Sequence, residues 1–261
     1  MFDPLFSLEG KRTLITGGAG SLGTLIAHSF AERGAIVTVQ DLDHGRLDIV
    51  KSSIGESNQN VFMIAADLSS ARECKLVVEK ANQLMDGIDI VINTAGINRR
   101  KLISEVTPED FDAIVSVNMR ALYFISQAAH PIMKAAGGGT IVNMSSLSAR
   151  YSFNTISVYA ATKAAVTSIT RSTAREWAKD KIRVNCIEPS VIKTDFTKTL
   201  WGEPHRSKWF DDTTPIGRLS SPDEIIGTVI FLATEASSYI TGQSVVIDGG
   251  ILSGGDWDSY A

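Results

Sequence analysis

Tyr159 and Lys163 stand four residues apart in the run Y-A-A-T-K, and Ser146 lies thirteen residues before Tyr159 in N-M-S-S. On a helix, residues i and i+4 share a face, so this spacing sets the Lys163 ammonium beside the Tyr159 phenol. A free phenol has a pKa of about 10 and is a poor base at neutral pH. A neighbouring cation favours phenolate and lowers that pKa. A phenol tuned in this way can take a proton from an alcohol or return one to a carbonyl oxygen. The Ser146 hydroxyl can hydrogen-bond a substrate oxygen as charge develops on it. The pair is not decisive alone, because a Tyr–Lys pair at this spacing is also an ordinary solvated helix face.

A nucleotide site is written upstream. R-T-L-I-T (12–16) reads as a short strand and is followed by T-G-G-A-G-S-L-G (16–23). A helical stretch then runs to Gly34, and the β-branched run A-I-V-T-V-Q ends at Asp41. Strand, glycine loop, helix, strand and acid form a dinucleotide-binding unit. Glycines let the backbone approach a pyrophosphate, and the helix N-terminus offers unpaired N–H groups. Asp41, eighteen residues after Gly23, would accept hydrogen bonds from the adenosine ribose and repel a 2′-phosphate. NAD is therefore expected over NADP.

With these pieces the chain resembles the short-chain dehydrogenase/reductase family over nearly its whole length. The matching motifs are the glycine loop, Asp67-Leu68, N-T-A-G (93–96), Asn118 in S-V-N-M, Ser146, Tyr159 and Lys163, E-P-S-V-I-K-T (188–194) and I-D-G-G (247–250). The resemblance implies a nicotinamide-dependent oxidoreductase. It also implies a Ser146–Tyr159–Lys163 centre, with Asn118 supporting a proton relay through a water; Asn118 also reads as a helix C-cap. The implied cofactor contacts are Gly17, Gly20, Ser21, Leu22, Gly23, Asp41, Asp67, Leu68, Asn93, Ala95, Gly96, Tyr159, Lys163, Pro189, Ile192 and Thr194. Two positions depart from the pattern. Ser21 stands where the compact branch has glycine, so Gly17, Gly20 and Gly23 keep the spacing of the extended branch, which holds many epimerases. Pro189-Ser190 stands where Pro-Gly is usual.

Composition narrows the remaining classes. The chain has 261 residues, 44% of them hydrophobic and 21% charged, with a net charge of −4. That is ordinary for a globular α/β domain and argues against nucleic acid as a partner. No apolar run reaches the roughly eighteen residues of a membrane span. The N-terminal stretch M-F-D-P-L-F-S has no basic region and does not read as a signal peptide. Cys74 and Cys186 are too few for a disulfide framework, which suits a reducing cytoplasm. No Cys/His cluster has metal-ligand spacing, so no metal is expected.

The elements that must position these residues alternate along the chain. Strands are expected at 12–16, 35–40, 61–65, 88–92, 139–144, 182–187 and 244–247. Helices are expected at 20–33, 44–54, 70–86, 108–118, 120–136, 157–179 and 222–234. T-P-E-D (107–110) and S-P-D-E (221–224) both read as helix starts. The fold class is α/β, one doubly wound Rossmann domain with a seven-stranded parallel sheet and helices on both faces. By resemblance, a substrate lid lies around 195–215, and a homotetramer is built on 120–136, 157–179 and the last strand. I-N-R-R-K after N-T-A-G resembles sugar-acid members of the family, whose arginines would clamp a carboxylate; a solvated basic loop reads equally well. The substrate residues expected are Arg99, Arg100, Ser146, Phe153, Asn154, Trp201 and Trp209, with Tyr151 at the pocket mouth. The expected reaction is NAD-dependent interconversion of a secondary alcohol and a ketone on a sugar, polyol or sugar acid. The rivals are reduction of a 3-oxoacyl thioester, an epimerase that keeps its NAD, and a non-catalytic nucleotide sensor.

Overall fold

The computed structural model describes residues 3–55 and 59–254. Met1 and Phe2, at the head of the N-terminal stretch read above, lie outside them. The apolar runs become seven strands: β1 (Arg12–Thr16), β2 (Ile36–Asp41), β3 (Val61–Ala65), β4 (Ile90–Asn93), β5 (Gly139–Met144), β6 (Ile182–Pro189) and β7 (Ser244–Ile247). All pair in parallel in the order β3-β2-β1-β4-β5-β6-β7. The order reverses between β1 and β4, which opens a crevice beyond the strands' carboxyl ends.

Two cores follow from the period-2 alternation of side chains. Ile15, Val37, Val39 and Ile92 pack on one face with Ile26, Phe30, Val229 and Leu232. Those last four belong to α1 (Ser21–Glu32) and α9 (Asp223–Ala233). Leu14, Val91 and Ile141 face the other way, onto Val78, Ala81, Ile125 and Ala129. These belong to α3 (Ala71–Met85) and α5 (Leu122–Ala135). β4 is buried along its whole length, as expected of a strand covered on both faces. α2 (His44–Ile54) lies on the first face, through Leu47 and Val50.

Three local expectations are corrected. The helices expected at 108–118 and 120–136 do not part at residue 119. α4 (Pro108–Val115) runs through a π-helical turn, Ser116–Ala121, directly into α5. No glycine or proline interrupts S-V-N-M-R-A, so the ladder widens by one residue instead of breaking. At the second S/T-P start the helix begins at Asp223 without a side-chain cap; the Ser221 N–H donates to Glu224 at 2.9 Å. By contrast Thr107 does form the expected capping box with Asp110. Finally, the stretch left unassigned near 200 holds α7 (Lys198–Trp201) and α8 (Pro204–Thr213). Their sequences lack a strong apolar stripe. α8 is held instead by Phe210, buried at one end and 6.2 Å from the Phe153 ring.

Candidate active site

One cavity of about 1040 Å³ runs along the carboxyl edge of the sheet, from the glycine loop after β1 to the loops after β4, β5 and β6. At the first end the glycines do different jobs. A Cβ on Gly17, where φ is +64°, would fall 2.6 Å from the Ala95 backbone. One on Gly23 would lie 2.4 Å from the Gly17 carbonyl oxygen. Those two glycines let loop, helix and neighbouring strand close up. Gly20 meets only one atom within 4 Å, at 3.4 Å, and is the N-cap of α1 with no side chain capping it. The helix therefore presents unpaired N–H groups to the cavity, which also touches Ser21, Leu22 and Gly23.

Asp41 lines the same end and holds the loop as well. Its Oδ2 accepts the Ala19 N–H at 3.0 Å, and its Oδ1 accepts the Leu42 N–H at 2.8 Å. Gln40, which sequence reasoning passed over, accepts from the Gly17 N–H at 3.3 Å and donates to the Ala66 carbonyl at 2.8 Å. Asp67, Leu68, Ala95, Gly96, Pro189, Ile192 and Thr194 complete the lining, and Arg46 joins Asp41 at its end. An uncapped helix start, an open glycine and a ribose-height carboxylate in one trough fit a dinucleotide.

Asn93 does not belong there. It is buried at the end of β4, where its amide donates to Asn143 at 2.9 Å and to Ser126 at 3.3 Å. Being the last residue of the strand, it points into the layer under the sheet, and the next residue, Thr94, reaches the cavity instead.

At the other end Ser146, Tyr159 and Lys163 converge. α6 (Ser157–Trp177) carries the last two, and the Ser145 hydroxyl donates to the Lys163 carbonyl at 2.8 Å, tying the helix to the end of β5. The Lys163 Nζ lies 5.4 Å from the Tyr159 ring centroid and donates to the Met144 carbonyl at 2.7 Å. Burial pushes the ammonium down to about 8. The expectation of a net lowering of the phenol's pKa is corrected. Burial raises the Tyr159 pKa, and the opposing influences are a hydrogen bond from Ser146 and the charge of Arg100. Lys163 is committed to a carbonyl and lies against the ring, whereas Arg100 lines the cavity from the loop after β4.

For Asn118 the helix C-cap reading is corrected: the helix runs on through it, and its side chain lies beneath the cavity wall. From the π-turn its Oδ1 accepts the Ile97 N–H at 2.8 Å, while its Nδ2 donates to the Ile97 carbonyl at 2.9 Å and to Thr162 at 3.3 Å. The amide holds the loop that follows Gly96 against α6.

That loop separates the two arginines. Arg99 pairs with Asp110 at 3.2 Å, as Lys101 does at 2.5 Å, and Arg99 does not line the cavity. Arg100 does line it, and makes no ion pair or hydrogen bond with any described residue. Its guanidinium is held below its usual pKa, first by burial, against the Tyr159 charge, and further by Arg206. Trp201 is corrected too: its indole donates to the Thr194 carbonyl at 3.1 Å, so it anchors the segment and lines nothing. Trp209, Phe153 and Asn154 do line the cavity, whereas Tyr151 packs on Phe153 outside it. Three more lining residues, Phe196, His205 and Arg206, fall in the stretch expected as the substrate lid. The Phe196 ring sits 6.3 Å from that of Tyr159. Thr194 caps the turn Asp195–Thr197 through Thr197, the structural alternative to a cofactor contact.

Residues 17–252 match the family model described as enoyl-(acyl carrier protein) reductase. A tropinone reductase homologue of Arabidopsis thaliana is 35% identical over 97% of this chain and 83% of its own. The fold is similar to a gluconate 5-dehydrogenase from Burkholderia cenocepacia J2315 in complex with NADP and tartrate. That match has a TM-score of 0.92 and 30% identity over 97% of this chain and 99% of that one. It is also similar to a 3-ketoacyl-(acyl-carrier-protein) reductase from Brucella melitensis complexed with NADH. There the TM-score is 0.87, with 35% identity over 94% of this chain and 99% of the other. The fold overlays these enzymes along nearly the whole chain, and the chain belongs to the short-chain dehydrogenase/reductase family of oxidoreductases.

Proposed function

We propose that this chain is an NAD-dependent dehydrogenase that interconverts a secondary alcohol and a ketone on a sugar acid or a related sugar or polyol. The observation that carries the reading is the unpaired Arg100 beside Tyr159, at the opposite end of one cavity from Asp41. A half-buried guanidinium with no protein partner is a receptor for a planar anion such as a carboxylate. When bound, the nicotinamide would accept or return the hydride. Ser146 donates to the substrate oxygen, and Tyr159 takes the alcohol proton or gives it back. Arg100 holds the carboxylate, and Phe153, Asn154 and Trp209 border the remainder of the substrate. The segment 195–215 serves as a lid, with Trp201 as its anchor. The assembly is a homotetramer in the cytoplasm. Tyr123 on α5 and Tyr239 before β7 are exposed, and β7 leaves one sheet edge unpaired, features that call for cover.

Replacing Tyr159 with Phe should leave NAD affinity nearly unchanged and cut turnover by about 10²–10⁴-fold, the usual share of a general acid–base group. Wild type screened for NAD reduction on sugar acids, sugars, polyols and 3-hydroxyacyl thioesters supplies the substrate. A variant that keeps a tenth of wild-type kcat would remove Tyr159 from the mechanism.

Arg100→Ala should lower kcat/KM at least tenfold on an acid and little on a neutral polyol, and Arg99→Ala should do neither. Oxidation needs phenolate, so its rate rises with pH. Since Arg100 lowers the Tyr159 pKa, removing it should move that rise to higher pH. Equal losses on acid and polyol would show that Arg100 does not hold a carboxylate.

Cofactor preference tests the other end. NAD should outperform NADP in kcat/KM, and Asp41→Ala should narrow the gap by removing the charge that repels a 2′-phosphate. Arg46→Ala should widen it, because that cation faces the same end. Equal efficiency in wild type would mean that Asp41 does not govern the choice.

For assembly, light scattering at micromolar concentration should return about four chain masses. A value of 28.1 kDa, one chain, would refute the tetramer.

A further inference from the structure

The hydroxyl of Ser146 is itself held by a second serine. Ser146 caps the short turn Leu147–Ala149. Its Oγ accepts the Ser148 main-chain N–H at 3.1 Å and the Ser148 side-chain hydroxyl at 2.9 Å. A hydroxyl has two lone pairs and one proton. With both lone pairs engaged from one side, the group left to Ser146 is its proton, and the open side is the cavity that Ser146 lines. Ser148 is only 7% exposed, and among the described residues its hydroxyl meets no other acceptor. Ser148 also borders the cavity, and among the described residues Ser146 is the acceptor its hydroxyl reaches.

The chain around it is fixed. The Arg150 Nε donates to the buried carboxylate of Glu188 on β6 at 2.5 Å, and the Ala149 N–H closes onto the Ser146 carbonyl at 2.9 Å. The turn cannot easily swing its hydroxyls away. A hydroxyl whose oxygen accepts hydrogen bonds also becomes a better donor, because the chain polarises along its length.

We propose that Ser148 is a positioning residue that turns the Ser146 proton into the cavity, toward the Tyr159 phenol in the free enzyme and the reacting oxygen once substrate is bound, and strengthens it as a donor. The proposal rests on the roles given to Ser146 and Tyr159 above. It adds that the working donor is a two-serine relay, S-L-S (146–148), rather than one side chain. No proton is transferred along it; Ser148 keeps its own and only fixes the direction of the next.

The test compares wild type, Ser148→Ala, Ser148→Thr and Tyr159→Phe in the oxidation direction, with thermal denaturation and NAD titration of each. Ser148→Ala should lower kcat about three- to tenfold, the scale of one hydrogen bond, with KM and NAD affinity unchanged. The phenol should lose part of the Ser146 hydrogen bond that lowers its pKa, so the rise of rate with pH should move to higher pH. Ser148→Thr, which restores the hydroxyl, should restore both. Wild-type kcat and an unshifted pH profile in Ser148→Ala would overturn the proposal. So would faster turnover, which would show the Ser146 proton pointing at Ser148 in the wild type. If Ser148→Thr is thermally destabilised, the pH profile of Ser148→Ala decides alone. Retained turnover in Tyr159→Phe would instead sink the acid–base reading and this proposal with it, an outcome separable from a failure at Ser148.

Discussion

An all-parallel sheet collects every strand-to-helix loop at one edge, and the rest of this molecule follows from that constraint. Each strand must be followed by a crossover, so the segments after β1, β2, β3, β4, β5 and β6 all emerge on the same side. Residues separated by more than a hundred positions, such as Asp41 and Tyr159, thereby line one cavity. The cost is a set of buried polar atoms where loops meet. Most are satisfied by side chains: Asn93 to Asn143, Asn143 to Thr170, Asn118 to Ile97. These bonds are short-range, but together they fix how high each loop stands above the sheet.

The chemistry depends on charges held out of water. Lys163 is 3% exposed and has a carbonyl for its partner, not a carboxylate. Arg100 has no partner at all among the described residues and faces a phenol. A desolvated cation without a counter-ion is costly, and proteins seldom keep one for packing alone. Lys163 lies against the ring and the end of β5, while Arg100 lines the cavity with no counter-ion among the described residues.

The neighbouring pair shows how little sequence separates the two outcomes. Arg99 and Arg100 are adjacent and chemically identical. The first is drawn to Asp110, the N3 residue of α4, and joins Lys101 in a partly buried ion-pair cluster. The second, one position on in an extended segment, turns the opposite way and enters the cavity. The bond from the Lys101 N–H to the Thr155 carbonyl at 3.0 Å helps set that register. Thr155 has a φ of +70°, a conformation a β-branched residue adopts only under constraint.

Much of the fold was legible in the chain because its signals are local. Alternating and continuous apolar runs marked the strands, glycine spacing marked the first turn and helix, and the four-residue step placed Tyr159 and Lys163 on one face of α6. Each of those depends on the geometry of a single element, which the sequence carries by itself. What it could not carry is which side of a loop faces a neighbour. Asn93, Asn118, Arg99 and Trp201 have the right types at the right places, yet each is captured by a partner from a distant or irregular segment. α8 was invisible for the same reason, since its stability comes from Phe210 packing on Phe153 rather than from its own pattern. The sequence by itself determined most of the elements, their order and the placing of Tyr159 and Lys163 on one helix face. Only the tertiary structure decided which arginine lines the cavity and which hydroxyl donates to Ser146, because those outcomes turn on packing between segments that no spacing rule connects.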